Sequence, residues 1–336
     1  MQPFLYIQNS YSMLSFNEIL QRIEHEVSQL QFNYPPHSLY TPIEYILSLG
    51  GKRIRPALTL IGCNIYSDSI ENAIAPALSL EIFHNFTLLH DDLMDEADKR
   101  RKKPTVHKVW NENTAILSGD AMLIVAYKTI AESNPAYLKQ LLDLFTITAL
   151  EICGGQQYDM EFEARTDVDE AEYIEMIRLK TAVLMGCGLK MGGIVGGASE
   201  SDCEHLYQYG LNIGLAFQLK DDLLDVYGNP ATFGKNIGGD ILCNKKTFLL
   251  INALKKASEE QKETMYQWFE KKTFDPAEKI NAFKQIYDKL ELKKITETKI
   301  QYYYDQALQH FSQLSAPAER LSILKDVSND LLYRES

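Results

Sequence analysis

Cysteine is sparse in this 336-residue chain, and the five residues at 63, 153, 187, 203 and 243 form no CxxC pair and no zinc-type spacing. A disulfide framework and a structural zinc centre are therefore set aside, and free thiols in a reducing cytoplasm are the simplest reading. Positive charge is also scarce: 34 Lys and Arg stand against 46 Asp and Glu, a formal net charge of −12. A general nucleic-acid binder needs the opposite balance, because phosphate backbones are neutralised by broad cationic surfaces. No stretch approaches eighteen uninterrupted apolar residues, and the opening MQPFLYIQNSYSML lacks the basic start and apolar segment of a secretion signal. An integral membrane protein is not expected, and the cytoplasm is.

Alternating strand patterns, Pro/Ser-rich linkers and fixed-period repeats are missing too. Apolar residues instead recur at helical spacing, which predicts an all-α fold in a single domain over residues 1–336. Helices are expected at 16–31, 42–49, 53–66, 70–95, 111–132, 136–159, 169–188, 201–227, 245–255, 258–269, 275–291 and 293–312. Gly or Pro breaks them at NYPP (33–36), LGGKR (49–53), KKPT (102–105), SNP (133–135) and GNP (228–230). The segment LMGCGLKMGGIVGGAS (184–199) matches neither GxGxxG nor the P-loop. Small residues that let helices approach closely explain it better. The helices after about 255 read as packing elements without chemistry of their own.

What the chain does have is a repeated acidic pattern. Asp91, Asp92 and Asp95 stand at i, i+1 and i+4, and Asp221, Asp222 and Asp225 repeat that spacing in FQLKDDLLDVYG. On a helix the first and last members of each set share a face, one turn apart. Followed backward, that stripe meets Thr87 and His84 in one case, Gln218 and Gly214 in the other. Both flanking runs are too apolar for solvated helices, so the polar stripes should border a cavity. Carboxylates about 4–5 Å apart repel by several kcal/mol, and water, salt or a bound cation must relieve that. Oxygen ligands without His or Cys suit a hard ion, and Mg²⁺ takes one or two carboxylates while phosphates and water complete its octahedron.

Cations stand close by. Arg100 and Arg101 follow the first cluster, and GGKRIRP (50–56) places Lys52, Arg53 and Arg55 behind a glycine turn. Lys180, Thr181, Lys235 and Lys245 add to them downstream. Guanidinium groups clamp phosphate oxygens in bidentate fashion. There is enough positive charge for two diphosphates, one held through metal and one held directly.

At these residues the chain resembles the trans-prenyl diphosphate synthases, or polyprenyl synthetases. The resemblance runs from about Gly50 to Thr247 through GGKRIRP, EIFHNFTLLHDDLMDEADKRR with PTVH, LSGDAML, GGQQYD, LKTA, FQLKDDLLD and GKNIGGD. It implies a single-domain helical bundle around a deep cavity, a homodimer, and several Mg²⁺ ions. It implies Asp91, Asp95, Asp221 and Asp225 as metal-site acids, with Asp92 and Asp222 in support. Arg100, Lys180, Thr181, Gln218 and Lys235 would hold the allylic diphosphate. Lys52, Arg55, His84 and Arg101 would bind isopentenyl diphosphate. The implied reaction is head-to-tail condensation with diphosphate as its own base, leaving Gln156 and Asp159 to bind or orient. One departure is Lys102, where the family pattern RRGKPT has glycine.

Product length in this family follows bulk on the helix entering the first acid cluster. Phe86 with Thr87, and Phe83 one turn back, resemble synthases of the C20 type, with C15 next. An ideal helix places Phe86 roughly 140° from Asp91, so its reach to a growing tail depends on its neighbours. Three other readings compete. A terpene cyclase shares this metal chemistry, but the second motif here is DDLLD. A non-catalytic partner subunit commonly lacks one acid motif. A di-iron carboxylate bundle needs a second partner for Glu81-x-x-His84, and none is present.

Overall fold

The computed structural model describes residues 13–229 and 237–333. Its elements are α1 (Phe16–Ser28), α2 (His37–Ser48), α3 (Ile54–Tyr66), α4 (Glu71–Met94), the two-residue strands β1 (Lys99–Arg100) and β2 (Lys103–Pro104), α5 (Val106–Val109), α6 (Glu112–Ile130) and α7 (Pro135–Ala164). After these come α8 (Glu170–Ile177), a π-helical turn (Arg178–Ala182), α9 (Val183–Gly196), α10 (Glu200–Tyr227) and α11 (Gly239–Leu242). The chain finishes with α12 (Phe248–Lys256), α13 (Glu259–Glu270), α14 (Pro276–Lys289), α15 (Leu292–Phe311) and α16 (Ala318–Tyr333). The all-α expectation holds.

Local chemistry sets the helix starts. Ser15 with Glu18, Asp169 with Glu172 and Ser258 with Gln261 form reciprocal capping boxes. Asn111, Thr247 and Asp275 cap α6, α12 and α14 through their side chains, and Pro276 follows the last of these at the first helical turn.

The chain divides into two compact units. In the first (1–142, 188–203, 315–324), α3 is buried from Pro56 to Ile65, and α4 packs along α6. The glycine-rich segment is the inner face of this packing. A Cβ at Gly192 would lie 2.1 Å from the Thr59 carbonyl oxygen, and one at Gly196 would lie 2.7 Å from that of Cys63, so α3 and α9 meet backbone to backbone. The expectation of close helix approach is met, and the helix continues to 196 rather than stopping at 188.

The second unit (143–187, 204–314, 325–336) has two apolar clusters. One joins Leu223, Ile241, Leu250, Met265, Phe283 and Tyr287. The other joins Phe162, Tyr173, Met176, Leu219 and Phe248. The run 170–196 is long and apolar enough by composition to cross a membrane, but 78% of its most apolar stretch is buried inside the fold.

Two expected ranges need correction. Helix α2 begins at His37 rather than at 42, and Pro42 lies inside it. Helix α16 is not among the individual ranges expected, although packing helices are expected throughout the region after about 255. The break at KKPT holds and takes the form of a hairpin, with Lys99 paired to Pro104 and Arg100 to Lys103.

Candidate active site

In the first unit, α4 runs into the first acid cluster and ends there. Met94 is its last residue and Asp95 its C-cap, so the three carboxylates sit where the helix dipole is itself negative. Asp91 is partly open and Asp95 exposed, while Asp92 is 3% exposed. The Arg100 Nε donates to Asp92 Oδ2 at 2.7 Å, and Arg100 Nη2 lies 3.6 Å from Asp91 Oδ2. Burial pushes the Asp92 carboxyl up from its ordinary value, against the pull of Arg100.

The β1–β2 hairpin delivers these cations. Arg101 and Lys102 form its two-residue loop, both at positive φ, 51° and 66°. Two such residues make the mirror-image turn that matches strand twist, and glycine suits it at the second position. This is the physical reason for the family's glycine where Lys102 stands. Tyr45 anchors the hairpin, its hydroxyl donating to the Pro104 carbonyl at 2.7 Å.

Arg101 turns its guanidinium onto Gly51, where a Cβ would come within 2.7 Å of Nη2. Nearby, Arg55 Nη1 lies 3.2 Å from His84 Nε2. Arginine can only donate, so Nε2 is the acceptor. Burial, and then the charges of Arg55, Arg101, Arg100 and Arg53, hold His84 well below the usual imidazole range. His84 is therefore a neutral ring that orients Arg55, not a further cation. Lys52 is exposed.

Arg53 departs from the sequence reading. It is 5% exposed, bonded to Glu81 at 2.5 Å, to Glu24 at 2.9 Å and to the Leu47 carbonyl at 3.0 Å. Its guanidinium is consumed inside the protein. Glu81 also accepts from Asn85 Nδ2 at 2.8 Å, so Glu81 serves the ion pair with Arg53 while His84 contacts Arg55.

Upstream on α4, the Phe83 and Phe86 rings lie 5.5 Å apart and Phe86 meets the His90 ring at 4.8 Å. His90 in turn packs on Gly119 of α6, where any Cβ would overlap its ring. Phe86 is 8% exposed, in the seam between α4 and α6. The Thr87 hydroxyl donates to the His84 carbonyl at 2.8 Å.

In the second unit the other acid cluster repeats the pattern near the C-terminal end of α10. Asp221 and Asp225 are partly open, while Asp222 is 5% exposed. Here the buried member has neutral partners. The Tyr173 hydroxyl donates to Asp222 Oδ2, and Gln218 Nε2 donates to Oδ1 at 3.1 Å. Burial, aided by the charge of Asp240, pushes the Asp222 carboxyl up to about 7. Asp225 Oδ2 accepts the Asp240 amide at 3.1 Å.

Lys180 and Thr181 lie in the π-helical turn, a local widening that often marks functional positions. It fits because α7 offers Gly155, where a Cβ would lie 2.3 Å from the Lys180 nitrogen. Lys180 Nζ donates to Asp159 at 2.7 Å, and Lys245 Nζ lies 3.5 Å from the same carboxylate. Burial raises Asp159, but Lys245 and Lys180 outweigh it and hold the acid below its ordinary value. Thr181 donates to Gln218 Oε1 at 3.1 Å. Lys235 lies outside the described residues.

The sequence reading missed Tyr173 and Asp240 as members of this cluster. Tyr173 stands two helical turns before Lys180 and was inseparable from a core aromatic. Asp240 was visible only as the end of GKNIGGD.

The polyprenyl synthetase family profile matches residues 36–289. A geranylgeranyl diphosphate synthase of Methanosarcina mazei is 38% identical over 249 residues, 73% of this chain and 77% of that one. A geranylfarnesyl diphosphate synthase of Natronomonas pharaonis is 37% identical over 237 residues, 65% of this chain and 69% of that one. A geranylgeranyl pyrophosphate synthase crystal structure superimposes with a TM-score of 0.91 at 43% identity, covering 96% of this chain and 100% of the other. The chain belongs to the polyprenyl synthetase family, the trans-prenyl diphosphate synthases, and is a prenyltransferase.

Proposed function

We propose that this protein condenses isopentenyl diphosphate head to tail with an allylic diphosphate, in a Mg²⁺-dependent reaction giving mainly a C20 trans-prenyl diphosphate, with C15 next. One observation carries the reading. In each acid cluster the first and last carboxylates are open while the middle one is buried and tethered. A solvated acidic patch has no need of a buried, bonded member.

The donor set suits Mg²⁺. Among the described residues no three His, Cys, Asp or Glu side chains close a metal cage. Mg²⁺ needs none, since it takes one or two carboxylates and leaves its other positions to phosphate and water. Asp91, Asp95, Asp221 and Asp225 would hold it, with Asp92 and Asp222 in support. Bound there, the ion supplies positive charge against the negative charge that grows on a departing diphosphate.

The chain's own residues do the rest. Arg100, Lys180, Thr181, Gln218 and Lys235 bind the allylic diphosphate, whose C–O bond breaks with the electron pair leaving on the diphosphate. Lys52, Arg55 and Arg101, the second oriented by neutral His84, hold isopentenyl diphosphate so that its double bond attacks the allylic carbon. Loss of a proton to the departed diphosphate restores a double bond. The Phe83–Phe86 pair fills the α4–α6 seam and supports a short product.

We also propose that residues 1–336 form one catalytic domain that works in the cytoplasm as a homodimer. Exposed Ile116, Leu117 and Ile124 on α6 and exposed Ile147 and Leu150 on α7 support a second copy as their cover. The test is product analysis of the purified chain with isopentenyl diphosphate and each allylic primer, with Mg²⁺ or EDTA. Turnover of an allylic diphosphate alone to hydrocarbon, or products of C30 and longer, would overturn it.

A further inference from the structure

Lys279, on α14, is 1% exposed, yet among the described residues its ammonium bonds only neutral groups: the Leu242 carbonyl at 3.0 Å and Asn244 Oδ1 at 2.7 Å. It also lies 4.7 Å from the centre of the Phe274 ring. A lysine is almost never fully buried without an acidic partner, because removing an ammonium from water is costly. An apolar side chain would fill the same space more cheaply. What only the ammonium does here is tie two points of one turn together.

That turn belongs to the site. Leu242 is the last residue of the four-residue α11, and Asn244 holds a positive φ of 57°. Lys245 comes next, its amide donating to the Asp240 carbonyl at 2.9 Å and its Nζ lying 3.5 Å from Asp159. Asp240 in turn gives its amide to Asp225. The neighbour of Lys279, Ile280, fills the space over Gly238, where a Cβ would come within 2.6 Å of its Cδ1. One turn of α14 thus grips the segment from two points, and Asp275 with Pro276 fixes where α14 begins.

We propose that Lys279 is a positioning residue that locks the turn at 240–246 and so sets Lys245 against Asp159 and Lys180, fixing the allylic diphosphate subsite. This rests on the prenyl-transfer reading above. It also gives a C-terminal helix a role in the chemistry.

The experiment uses the full chain and two variants. Lys279→Met removes the ammonium but keeps the stem. Asn244→Gly removes one of its acceptors while tolerating the positive φ. Hydrogen exchange, measured without substrates, should quicken about tenfold at the amides of 240–247 in Lys279→Met, since the ammonium's hydrogen bonds to the turn are lost. In steady-state kinetics KM for the allylic diphosphate should rise about tenfold in Lys279→Met and about threefold in Asn244→Gly. KM for isopentenyl diphosphate should stay within about twofold in both. Unchanged exchange in both variants overturns the proposal, as does quicker exchange without a KM change, or KM rising equally for both diphosphates. Should Lys279→Met not fold, Asn244→Gly decides. If the wild-type chain transfers no prenyl group, the reaction reading falls while the exchange result still judges Lys279.

Discussion

The Tyr173 hydroxyl donates to the buried carboxylate of Asp222, which has no cation bonded to it among the described residues, whereas its counterpart Asp92 is held by Arg100. The two acid clusters therefore share a burial pattern and differ in what stabilises their inner member. Tyr173→Phe leaves that acid with Gln218 as its one bonded side-chain donor among the contacts described. A lost hydrogen bond to a buried charged group costs roughly 1.5–3 kcal/mol, so the variant should unfold at lower urea and need several-fold more Mg²⁺ for half-maximal rate. Unchanged Mg²⁺ dependence would show that Asp222 does not act on the metal site.

Asp222 also gives a pH dependence of defined sign. Its carboxyl is at about 7 in the fold, above about 3.9 in an unfolded chain. As pH falls from 8 to 6 the folded state gains a proton that the unfolded state does not. Metal-free wild type should therefore gain roughly 1 kcal/mol relative to Asp222→Asn over that interval. Parallel urea midpoints for the two proteins across the interval would contradict it.

Lys102 holds a φ that glycine adopts freely. Lys102→Gly should leave activity in place and raise stability by about 0.5–1 kcal/mol, provided the relief of strain exceeds the added freedom of the unfolded chain. A fall in the urea midpoint would show that the Lys102 side chain stabilises the hairpin.

Phe86→Ala opens the α4–α6 seam between Phe83 and His90. The product distribution should move toward longer chains, read by mass analysis after incubation with farnesyl and isopentenyl diphosphates. Unchanged products would place the floor at another residue.

The legible part of this molecule was local. Acid spacing on one helix face and glycine spacing along α9 are written within a few turns of sequence, and both appear where expected. Contacts spanning long sequence distances were not legible. Nothing near Tyr173 announces a partner 49 residues away, and nothing near Lys279 announces the turn it holds 35 residues earlier. Arg53 was misread for a related reason. In GGKRIRP it is one of three cations, and only its left-handed backbone at the start of α3 turns it inward to Glu81. The Lys102 departure was visible as a substitution, but its strain needed the hairpin.

The most direct measurement is the rate of prenyl transfer from farnesyl to isopentenyl diphosphate by wild type, Asp91→Ala and Asp221→Ala at saturating Mg²⁺. Both variants should fold and lose at least about 10²–10³-fold in kcat, since under the proposed function each removes an acid that would secure the charge opposing the leaving diphosphate. Folded variants that keep wild-type turnover would contradict the account.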